Sequence, residues 1–136
     1  MTKKSVNRYH KNFFFPNWSG HQLAKFMTNL AENSMSILFT PHAVDKITAD
    51  TVKYGQEFRR CLLKVIRNIE SETADIFEFY ADEKSIKKIC IRYSFEDFPF
   101  DIVLVISYQG IVITVYTTKK GDYHASLNEN LYEKGE

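Results

Sequence analysis

With 136 residues, 44% of them hydrophobic and 15% aromatic, the chain is long enough to close one core and bury about two thirds of the surface its unfolded form exposes. Its net charge of +1 favours neither presence nor absence of a nucleic-acid partner. Cys61 and Cys90 stand singly in apolar segments, which argues against a disulfide framework or a zinc cluster and for a reducing, cytoplasmic setting.

Residues 1–19 read as an extended arm, basic at first (Lys3, Lys4, Arg8, His10, Lys11) and then aromatic (Phe13, Phe14, Phe15 and Trp18 around Pro16). The run 13–15 is too short for a signal-peptide core, and no stretch approaches the ~18 apolar residues of a membrane span. Such an aromatic cluster is expected to pack over the flank of the domain or to meet a partner. Residues 20–124 then form a single domain, and 125–136 a flexible polar tail. Ser19 caps a first helix over 20–32, where Leu23, Phe26, Met27 and Leu30 recur at three- and four-residue steps. A short strand-like run over 35–39 leads to Thr40-Pro41, a capped helix start. This second helix is expected to end near Asp50. Gly55 breaks the chain, and a third helix runs to about Ile69. Its buried stripe is Phe58, Leu62, Val65, Ile66 and Ile69, with Arg59, Arg60, Lys64 and Arg67 on a solvated side.

Four strands follow, over 75–80, 86–95, 101–108 and 111–119, each rich in β-branched and aromatic residues and bounded by turns. Gln109-Gly110 reads as a two-residue hairpin connection. The expected fold is α+β: a four-stranded antiparallel meander packed on one face by two or three helices. Alternation assigns Phe77 and Phe79 to one face and Ile76, Glu78 and Tyr80 to the other. It turns Ile89, Ile91, Tyr93 and Phe95 inward, and Lys88, Cys90, Arg92 and Ser94 outward. In the last strand Ile111, Ile113 and Val115 face in, while Thr114, Tyr116 and Thr118 face out. The third strand, apolar on both faces, belongs in the middle. One face is therefore expected to remain partly open, with a carboxylate, two cations and two phenols on it.

No Walker loop, HExxH or GxSxG motif is present, so chemistry has to come from that face. Metal-independent RNA cleavage needs a base, a cation at the phosphate and an acid for the leaving oxygen. Glu78 fits the base, Arg92 with Lys88 the clamp, and His124 or His42 the acid. Tyr80 and Tyr116 are placed to stack on bases, and Lys119 extends the positive rim. The alternative is that Glu78 forms a cross-strand ion pair with Lys88 or Arg92 and has a structural role. The four histidines, His10, His21, His42 and His124, lack ligand spacing, and neither metal nor cofactor is expected.

The element order resembles the RelE-type and MqsR-type ribonuclease toxins and, more distantly, barnase and the colicin ribonucleases. Locally, Pro41-His42-Ala43 with Lys46-Ile47 is similar to an opening motif of such domains, and Ile113-Thr114-Val115-Tyr116 to their closing strand. The order Glu78, Arg92, His124 resembles the base, arginine and acid of the barnase group. The resemblance implies a RelE/barnase-like fold, a toxin-like endoribonuclease, and as partners an RNA, free or on the ribosome, and a cognate antitoxin, with no membrane. The second expectation is a non-catalytic interaction protein, an immunity factor or a phage- or plasmid-encoded inhibitor. It would bind a protein through the aromatic arm or an exposed sheet edge.

Overall fold

A computed structural model describes residues 6–33, 36–70, 75–120 and 129–135. Helices α1 (Ser19–Glu32), α2 (Pro41–Tyr54) and α3 (Gln56–Glu70) pack on one face of a mixed sheet. The strands are β1 (Asn7–His10), β2 (Leu38–Phe39), β3 (Asp75–Asp82), β4 (Ser85–Tyr93), β5 (Phe100–Ser107) and β6 (Ile111–Lys119). The α+β class is as expected, but the sheet is larger than a four-stranded meander. Its order is β1-β3-β4-β5-β6-β2, with β1 antiparallel to β3 and β2 parallel to β6. β5, apolar on both faces, is internal.

The arm accounts for one added strand. Asn7 to His10 pair with Ala81 to Glu78, so the basic segment is part of the sheet. Its aromatic continuation closes the core. Tyr9 stacks on Phe79 with centroids 4.8 Å apart, and Phe15 and Trp18 meet the same ring edge-on at 5.0 and 5.9 Å. The tail also differs from expectation, since Tyr132 is buried and the Glu133 amide donates to the Arg8 carbonyl.

Local chemistry explains the helix limits. The Ser19 hydroxyl donates to the Pro16 carbonyl at 2.6 Å and lies inside the first turn of α1, whose cap position is Trp18. Thr40 caps α2 as expected, accepting from the Ala43 amide at 3.0 Å with Pro41 behind it. α2 does not stop near Asp50. No breaker occurs before Gly55, whose φ of 79° ends the helix, and the last turn is held by Tyr54 packing on Phe58, Phe98 and Phe100.

Two irregularities overturn the simple alternation. A bulge between Ile76 and Glu78 puts Ile76 against the main core and Phe77 on the opposite face, near Glu78. A second shift, opposite Val105/Ile106, turns Val112 inward in place of Ile111 and Ile113. The hairpin before it is also one residue longer than expected: the Gly110 amide donates to the Ser107 carbonyl and Gly110 takes φ 79°. This is a turn over Tyr108 and Gln109 followed by a left-handed residue, which glycine adopts at least cost.

Candidate functional site

The polar face of the sheet, expected to be partly open, is buried at its centre, while Tyr80, Lys88 and Tyr116 on it are half-buried. Phe77, Cys90 and Val103 form a second buried cluster there, flanked by Tyr80, Val105 and Tyr116. Glu78 is 6% exposed. Its carboxylate accepts from the Tyr132 hydroxyl at 2.6 Å, the Arg8 guanidinium at 3.1 Å and the Cys90 thiol at 3.7 Å. Arg8 also donates to the Tyr132 hydroxyl and lies between the Tyr80 and Tyr132 rings, 4.9 and 4.7 Å from their centroids. Burial alone would lower the Arg8 pKa, but the Glu78 charge and hydrogen bond raise it overall. The cluster joins the first strand to the C-terminal segment through one buried carboxylate. Two of the three partners of Glu78 are remote in sequence, Arg8 by 70 residues and Tyr132 by 54, and no local pattern connects them.

This cluster gives the protein an alkaline limit. Burial first, and then the Glu78 charge, hold the Tyr80, Tyr132 and Cys90 protons well above their ordinary values of 10.0 and 9.0. Burial, Cys90 and Glu78 push Tyr116 up to about 12. Above those ordinary values the unfolded chain releases protons that the folded chain keeps, so stability falls with rising pH. The urea midpoint is expected to be level from pH 7 to about 8.5 and to fall from about pH 9 upward, less steeply in Tyr132→Phe. A midpoint unchanged to pH 11 in the parent chain would contradict the burial of these groups.

Arg92 is paired separately. Its Nε donates to Asp101 Oδ2 at 2.7 Å and its Nη2 to Thr118 at 2.9 Å, while Ser94 donates to the other Asp101 oxygen at 2.6 Å. Glu78 and Arg92 thus share a face, as expected, yet each is buried against a different counter-charge. The alternative reading of Glu78 as an ion-paired structural residue holds, but the partner is Arg8 and not Lys88 or Arg92: Lys88 lies over the Tyr80 ring at 4.3 Å. Tyr116 is half-buried beside Val103, and Lys119 contributes its carbonyl to Arg92. His42 is exposed in the first turn of α2. That helix packs on the opposite face, over β6, three strands from β3 and so roughly 14 Å along the sheet. His124 lies outside the described residues. The base, clamp and acid are therefore not brought to one point among the described residues.

An accessible apolar groove lies elsewhere, between α2 and α3. The groove, of about 480 Å³, is lined by Val44, Ile47 and Val52 from α2 and by Leu62, Leu63 and Ile66 from α3, with Phe39 at its end. Its volume falls in the range of functional pockets, ~300–1,000 Å³. Val52 is 83% exposed, Leu63 55% and Val44 48%. Ile47, Leu62 and Ile66 support the core, whereas these three form the lips of the groove and contribute little to it. The sequence does carry a signal for this: Leu63 widens the apolar stripe of α3 beyond what one core face needs, and Val44 and Val52 repeat at eight residues on α2.

Compared with family models, curated proteins and solved structures, the chain matches none. Among the described residues no helix is long and apolar enough to cross a membrane.

Proposed function

We propose that this chain is a non-catalytic binding module that receives a helical segment of a protein partner between α2 and α3. The observation that carries this reading is the set of exposed aliphatic lips on an apolar groove. Such residues lose contact with water only when a partner covers them, and a helix laid into a groove with anchors at i, i+3, i+4 and i+7 is a recurrent way of covering them. Glu78 and Arg92 on the sheet face support the same reading, because both are engaged in ion pairs that hold the protein together. A small amphipathic ligand fits less well, since it would fill the floor and leave Val52 and Leu63 wet.

The reading is tested by panning a displayed library of about 18-residue helices with a leucine stripe against the full chain. Clones are expected that bind the parent and lose at least tenfold in affinity for Leu63→Glu. That substitution is expected to change stability by no more than about 0.5 kcal/mol, because the side chain is exposed. Absence of Leu63-sensitive clones would contradict the proposal.

A metal-independent ribonuclease of RelE or barnase type, acting in the cytoplasm and held by an antitoxin, is the second reading. Lys88 over Tyr80, with Tyr116 on the same face, favours it, as cations and aromatic rings together suit single-stranded RNA. Against it stand the buried ion pairs of Glu78 and Arg92. RNA incubated with the chain in chelator is expected to remain intact; cleavage lost in Lys88→Ala would favour the second reading.

A further inference from the structure

The groove between α2 and α3 is electrostatically one-sided. Among the described residues Arg59 is the one charged residue of its lining. It is exposed, and among the described residues it makes neither an ion pair nor a hydrogen bond. Its neighbour Arg60, by contrast, is engaged by Glu57 and Asp97. Leu63 and Arg67 continue the flank of Arg59 at successive four-residue steps and are also exposed. Arg59 and Arg67 therefore stand about 12 Å apart along the α3 lip with an apolar residue between them. A guanidinium beside an apolar surface is weakly hydrated and suited to meeting a planar carboxylate with two donors.

We infer that the groove selects an acidic amphipathic helix, whose apolar side chains enter between α2 and α3 and whose carboxylates lie along the α3 lip against Arg59. This rests on the groove being the docking surface proposed above. A second copy of this chain is disfavoured by the same charge. Two-fold pairing of groove on groove would bring in another Arg59 and, among the described lining residues, no acid, and like charges brought together at an interface oppose association.

The test fixes the leucine stripe of the displayed helix and randomises its flanks among Glu, Lys and Gln. Among clones whose binding is lost with Leu63→Glu, Glu is expected to exceed Lys on one flank by roughly three- to tenfold, the range of one or two rim charge contacts. The preference is expected to shrink as salt is raised and to reverse toward Lys on the Arg59→Glu chain. Leu63-sensitive clones with no acidic preference, or with one that Arg59→Glu leaves intact, would overturn the inference while leaving the groove as a docking site. If no Leu63-sensitive clones appear, both proposals fail. A dimer that Leu63→Glu disperses would assign the groove to a second copy and also overturn the acidic helix.

Discussion

Replacing Asp101 with alanine is expected to destabilise the protein by about 3–5 kcal/mol, because it leaves a buried guanidinium without its counter-charge. Arg92 is 9% exposed and Asp101 2%, so water cannot readily replace the lost carboxylate. The Ser94 hydroxyl loses its acceptor in the same step. The loss is expected as a lower urea midpoint with little change in slope. Joint replacement of Arg92 by methionine and Asp101 by leucine is expected to recover most of it, since a buried ion pair exchanged for apolar side chains of similar volume is often close to neutral. That recovery would show that the pair's cost on single replacement is the stranded charge and not the loss of a net stabilising contact. A loss under 1 kcal/mol for Asp101→Ala would mean that Arg92 is hydrated and accessible.

Phe79→Ala is expected to cost a similar ~3–5 kcal/mol, the usual range for deleting a buried phenyl ring. Phe79 is fully buried and is the surface on which Tyr9, Phe15 and Trp18 converge. The cavity is therefore expected to loosen the N-terminal segment first. Trp18 is the only tryptophan, so its fluorescence reports directly on that docking. In Phe79→Ala its emission is expected to shift to the red before the main unfolding transition; in the parent chain the two are expected to coincide. An unchanged midpoint and emission would contradict the assignment of the arm to the core.

These contacts mark where the sequence was readable. The three helices and four long strands follow from periodicity and punctuation, with Thr40-Pro41 and Gly55 setting limits that the structure retains. The departures have physical causes. A bulge at Ile76–Glu78 cannot be seen in a string of alternating residues, and it reversed the faces of Ile76 and Phe77. β1 contains too few residues to show a period, so its role emerged only from its register with β3.

The site was legible in a different sense. The alternation puts the charged Glu78 and Arg92 on one sheet face, and they do share it; what the sequence withheld were the ions that neutralise them, Arg8 and Asp101, and the Tyr132 hydroxyl that donates to Glu78. Local reading recovers spacing within an element, whereas ion pairs across 70 residues depend on topology. Leu63 and Val52 had the opposite fate. Their excess apolarity was written in the helical pattern, yet a hydrophobic helix face is ordinarily explained by the core, and only their exposure shows that the core does not use them.

The most direct measurement is an amide chemical-shift titration of the full chain, with a Leu63-sensitive acidic helical peptide and, separately, with a single-stranded RNA. The account predicts peptide-induced shifts along α2 and α3, centred on Val44, Val52, Arg59 and Leu63, and no saturable RNA-induced shifts at Tyr80, Lys88 or Tyr116. Saturable RNA shifts on the sheet face, with the groove unmoved by peptide, would contradict it.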